Sequence, residues 1–121
     1  MMVLRDILNV LQAKTIHICD QKVLDKEYTH VSVADLMSDA LSMVCSSGTT
    51  TFLLTGLVNA QSIRTAEMLD IDTIVYVRNK MPQDVDLHIG MDINMNLFST
   101  ALSMYEACGL LYETGIKTAT K

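Results

Sequence analysis

Hydrophobic positions along the chain change period several times, and each change marks an element. Val3, Leu4, Ile7, Leu8 and Leu11 fall on one stripe with Arg5, Asp6, Asn9 and Gln12 opposite, which predicts an amphipathic first helix. Lys14 to Cys19 then alternates with β-branched residues and predicts a strand, and polar Asp20 to Tyr28 reads as an exposed connection. Ser32-Val-Ala-Asp35 has the spacing of a helix N-cap with an acidic first turn. Val33, Met37, Ala40, Leu41 and Val44 then give a second helix its apolar face.

After the turn at Ser46-Ser-Gly-Thr-Thr, Thr51–Thr55 is a short apolar run of the kind covered on both faces of a sheet. Gly56 interrupts it, and Asn59 is placed to cap a helix over Ala60–Leu69. Thr73–Val77 is the clearest strand, ended by Met81-Pro82, and Asp84–Met91 a weakly patterned helix. Asn94–Phe98 predicts another strand. Ser99 or Thr100 is placed to open a last helix that runs to about Thr114, with Gly115 as its C-terminal glycine. The order β-α-β-α-β-α from residue 50 requires crossover helices, hence parallel strands. The expectation is one α/β domain over residues 1–121, a three-layer α/β/α fold with a mostly parallel sheet of about four to five strands. Residues 1–30 would carry the first helix, strand and connection, and 31–115 the core.

Composition adds a suggestion of association. Half of the 121 residues are hydrophobic and mean hydropathy is +0.28, high for so small a domain, so a face buried against a second copy is expected. A net charge of −5 with nine dispersed Lys and Arg, and only six aromatics, excludes a nucleic-acid surface. No run reaches the length of a membrane span, and the N-terminal stretch carries charges unlike those of a signal peptide. Cys19, Cys45 and Cys108 are far apart, each in an apolar stretch, and read as reduced core thiols. A cytoplasmic protein is the expectation.

Familiar catalytic devices are missing from the sequence. There is no G-x-S-x-G elbow, no phosphate loop and no G-x-G-x-x-G, and His17 (strand), His30 (loop) and His88 (weak helix) have no metal-ligand spacing. No enzyme, metal or cofactor is indicated. Ligands of open parallel sheets bind at the carboxyl ends of the strands. Thr55, Gly56 and Asn59, then Arg78, then Ser99 and Thr100 fall there and suit a small anion. The same Thr, Asn and Ser residues serve equally as caps and turns. Arg64 lies close enough to reach that rim, or to pair with Glu67 on its own helix. In the last helix Met104, Tyr105, Cys108, Leu111 and Tyr112 leave little polar surface. A homodimer interface there is one reading, and cover by the first helix of the same chain is the other.

Three passages within residues 31–115 resemble the DRTGG domain family. They are Leu53-Leu-Thr-Gly56, then Ser62-Ile-Arg-Thr-Ala-Glu-Met-Leu before Thr73-Ile-Val-Tyr-Val, and Leu97-Phe-Ser-Thr-Ala-Leu-Ser-Met-Tyr-Glu-Ala-Cys-Gly109. The family's name-giving Asp-Arg-Thr-Gly-Gly string is absent. The resemblance implies an α/β/α fold like the N-terminal domain of HPr kinase/phosphorylase. It also implies a non-catalytic, often dimeric accessory module found beside CBS nucleotide-sensing or phosphotransacetylase domains. Two roles follow as expectations: a regulatory homodimer sensing a small anion such as an adenine nucleotide, or an assembly protein that docks on itself or on an enzyme complex.

Overall fold

In the computed structural model residues 2–35 and 50–119 are described; six of their eight strands form one mixed sheet, and their four helices pack on it. Strand β1 (Met2–Val3) leads into helix α1 (Leu4–Leu11), β2 (Lys14–His17), a 3-10 turn at Gln21–Asp25, β3 (Glu27–Tyr28) and β4 (His30–Val33). There follow β5 (Thr51–Thr55), α2 (Ala60–Met68), β6 (Thr73–Tyr76), α3 (Asp84–Asp92), β7 (Asn96–Ser99), α4 (Met104–Glu113) and β8 (Lys117–Thr118).

The main sheet has six strands in the order β2-β7-β6-β5-β4-β8, and β1 pairs with β3 in a separate ribbon. All neighbours in the main sheet are parallel except β2 against β7. Strands β5, β6 and β7 are buried at every position, as continuous apolar runs flanked by helices require. One face packs Phe52, Leu54, Val75, Val77 and Phe98 against Leu4, Ile7 and Leu11 of α1 and Ala107 and Leu111 of α4. The other packs Leu53, Ile74, Tyr76 and Leu97 against Ile63 and Ala66 of α2, with Leu87 and Ile89 of α3 alongside. The α/β/α class is as expected, with more strands than the pattern suggested. No helix among the described residues is long and apolar enough to cross a membrane.

Several expectations are corrected. Ser32 does not cap a helix: it is 1% exposed within β4, which lies between β5 and β8. His30 opens that strand and is not in a loop. The rest of the expected second helix, with Cys45, lies outside the described residues. Tyr28 is not in an exposed connection; it is fully buried, with its ring edge-on to Phe52 at 5.8 Å. Cys19 is exposed, so its thiol is not a core thiol, whereas Cys108 is partly buried.

The last helix starts later than expected. Ser99 ends β7 and Thr100 follows it, while Ser103 caps α4 through a capping box in which Ser103 Oγ accepts from the Glu106 N–H and Glu106 Oε1 accepts from the Ser103 N–H. Gly115 follows the helix at φ +86°, the left-handed conformation expected of its C-terminal glycine.

Candidate functional site

Parallel packing brings the ends of β4, β5, β6 and β7 to one edge of the sheet. The chain leaves β6 through a tight turn in which Arg78 and Asn79 both have left-handed backbones, at φ +57° and +56°, closed by the Lys80 N–H donating to the Val77 carbonyl at 3.2 Å. Two adjacent non-glycine residues in this region are uncommon and costly. Neighbouring segments hold them there. The Arg78 N–H donates to Leu102 O and the Asn79 N–H to Thr100 O, each at 2.8 Å, and Ser99 Oγ donates to Lys80 O at 2.8 Å. Strain fixed in this way at a strand end is a common property of functional loops.

The turn places Arg78 beside Gly56. A Cβ at position 56 would sit 3.4 Å from Arg78 Nη2 and, more tightly, 3.3 Å from Asp35 Oδ1, so the glycine lets both side chains approach the buried backbone. Asp35 follows β4, and its Oδ1 accepts the Gly56 N–H at 3.0 Å. Arg78 is exposed, and its guanidinium has no hydrogen bond or ion pair among the described residues. A guanidinium of this kind presents a fork of donors suited to phosphate or carboxylate.

The other expected site residues divide by what their side chains already do. Thr55 is fully buried, and its Oγ1 accepts from the Leu57 N–H at 3.1 Å. Asn59 is exposed and caps α2, accepting from the Ser62 N–H at 3.3 Å. Ser99 is tied to Lys80, and the buried Thr100 hydroxyl donates to the Leu11 carbonyl. Thr55 and Asn59 thus act as turn and cap, Ser99 and Thr100 tie the end of β7 to Lys80 and Leu11, and Arg78 remains as the exposed part of the edge. Arg64 lies on the exposed face of α2 and forms no ion pair with Glu67. Asp35 and Asn79 were not singled out by sequence. The match of Ser32 to a cap places Asp35 in a helix first turn, and nothing in the sequence announces the backbone at Asn79.

The expected interface residues divide as well. Leu111 is 2% exposed within the core, Met104 and Cys108 pack partly against it, and Tyr105 and Tyr112 are 88% and 85% exposed. Tyr112 also lines an apolar groove of about 200 Å³ with Val31, Val33, Leu111 and Ile116. The first helix does cover α4 on its inner side, since Leu4, Ile7 and Leu11 share the core with Ala107 and Leu111.

The class defined at this point is a three-layer α/β domain with an exposed arginine at its strand-end edge. No family model and no curated protein matches the sequence. Among solved structures the fold is similar to the CBS and DRTGG domains of the regulatory region of Clostridium perfringens pyrophosphatase, complexed with its activator diadenosine tetraphosphate. The TM-score is 0.64 and the identity 17%, over 90% of this chain and 45% of that one. The chain thus spans less than half the length of the structure it resembles, and the likeness is one of fold.

Proposed function

We propose that this chain is a non-catalytic regulatory module of the DRTGG type that binds a small anionic ligand, an adenine nucleotide being the leading candidate. The observation that carries this reading is the exposed Arg78 guanidinium, without a hydrogen bond or ion pair among the described residues, held by a strained turn beside Gly56. Its position at the carboxyl ends of parallel strands is where ligands of open α/β sheets bind. The similar fold belongs to a regulatory region whose activator is a nucleotide, which supports the same choice of ligand. A thermal-shift screen against nucleotides, acyl phosphates and small carboxylates tests it. A ligand at 100 Kd adds about 2.7 kcal/mol, very roughly 10 °C for a domain of this size. Loss of that shift in Arg78→Ala supports the site, and an unchanged shift removes it.

A second reading, self-association, is favoured by the outer side of α4. Tyr105 and Tyr112, seven residues apart and so on one face of the helix, are almost wholly exposed, with Leu110 partly so. Aromatic side chains contribute most of the binding energy at many interfaces. The two readings are compatible in a homodimeric sensor, and an assembly role without a small ligand requires only the second.

A further inference from the structure

Asp35 and Arg78 approach the same glycine from two strands without neutralising each other. The Asp35 carboxylate is anchored through Oδ1 to the Gly56 N–H at 3.0 Å, and Arg78 Nη2 lies 3.4 Å from where a Cβ on Gly56 would stand. Among the described residues the ion pairs are Arg5–Asp25 and Lys26–Asp72, so this carboxylate and guanidinium are not closed on each other. The Gly56 N–H occupies one acceptor direction of the carboxylate, and a carboxylate has about four.

Such a pair selects against simple ligands. A bare anion drawn to Arg78 meets the Asp35 charge, and a neutral donor bound to Asp35 leaves the guanidinium without its anion. The matching ligand carries a negative group and, a short distance away, hydrogen-bond donors. A ribonucleotide has both, a phosphate for the guanidinium fork and vicinal hydroxyls for the carboxylate. An acidic side chain at a strand end takes ribose hydroxyls in dinucleotide-binding sheets in the same manner. We propose that Asp35 reads the ribose hydroxyls of a ribonucleotide whose phosphate lies against Arg78. This rests on the anion-binding reading above and specifies its ligand class.

Calorimetric titration of the full chain with ADP, 2′,3′-dideoxy-ADP, inorganic phosphate and glutamate tests the assignment. The wild type is expected to prefer ADP over the dideoxy analogue by about tenfold or more, as befits hydrogen bonds to a charged group, and to bind phosphate more weakly than ADP. Asp35→Asn keeps an acceptor for the Gly56 N–H, so the fold is retained, and the preference is expected to fall to about twofold or less. Arg78→Ala is expected to weaken ADP and its dideoxy analogue together. Equal binding of ADP and dideoxy-ADP by the wild type, or binding of glutamate but not ADP, overturns the ribose assignment while an Arg78→Ala effect leaves the anion site standing. If Arg78→Ala changes nothing, or if none of the four probes binds, the anion reading fails and the ribose assignment with it.

Discussion

The Tyr28 hydroxyl lies 2.8 Å from Asp72 Oδ1, joining residues 44 positions apart and tying the N-terminal segment to the start of β6. Thr73 Oγ1 is 2.9 Å from the same phenol oxygen, and Lys26 Nζ closes on Asp72 Oδ2 at 2.6 Å. Tyr28→Phe keeps the ring contact with Phe52 and removes the hydroxyl's bonds to the carboxylate and to Thr73. It is expected to cost about 1.5 kcal/mol in urea denaturation, as for a partly buried bond to a charged group.

Tyr76 is the contrasting case. Its hydroxyl is the one buried side-chain polar atom among the described residues that lacks a hydrogen-bond partner. The nearby Ser62 hydroxyl gives its proton to the Asn59 carbonyl at 2.8 Å. A buried polar group without a partner carries a desolvation penalty, so Tyr76→Phe is expected to be neutral or stabilising by up to about 1 kcal/mol. The two Tyr→Phe changes, identical in chemistry, should move the denaturation midpoint by clearly different amounts.

Both phenols also set an alkaline limit on stability. Burial pushes Tyr28 far above the ordinary 10.0, with the neighbouring Asp72 charge adding to it, and pushes Tyr76 up to about 12, aided by Asp86. Below pH 10 both are protonated whether the chain is folded or unfolded, and their contribution is fully present. Above it the unfolded chain releases the protons first, so stability falls as pH rises toward the folded values, by up to about 1.4 kcal/mol per pH unit for each tyrosine. Denaturation at pH 9, 10 and 11 should show this decline, and Tyr28→Phe with Tyr76→Phe in one chain should flatten it.

Arg78→Gly separates stability from binding at one position. Arg78 has φ +57°, where a side chain costs about 1 kcal/mol that glycine avoids. Its guanidinium makes no bond within the described residues, so no stabilising contact is lost in exchange. The variant is expected to melt a few degrees higher and to lose the ligand-induced shift. A lower melting temperature would show that the left-handed turn is not a source of strain.

Much of the fold was legible because apolar runs of four or five residues alternate with helical stripes from β5 onward. The misread places are those where one local pattern satisfies two structures. His30-Val-Ser-Val alternates like a strand, while Ser32 to Asp35 has the spacing of a cap, and the outcome was decided by pairing with β5 and β8, distant in sequence. At the start of α4 three hydroxyl residues competed, and only Ser103 has a glutamate three positions on, a signal that was present in the sequence. Arg78 was found by its position after a strand. Its partner Asp35 was not, because its importance comes from the approach of β4 to β5 and from the missing side chain of Gly56. Such convergence across strands leaves no periodic trace.

The outer side of α4 gives the last test. Tyr105 and Tyr112 are almost fully exposed, so replacing both with glutamate removes little from the core, and the melting temperature is expected to stay within a few degrees of the wild type. If two copies associate through this face, charge at both positions is expected to convert a dimer to a monomer by light scattering, because like charges would then be placed within the shared contact. Leu111→Glu is the internal control. Leu111 is 2% exposed among α1 and sheet residues, so that variant should unfold the chain and give no soluble monomer. A dimer that survives the double tyrosine change would place the contact away from α4, and a monomeric wild type would end the self-association reading while leaving the Arg78 site untouched.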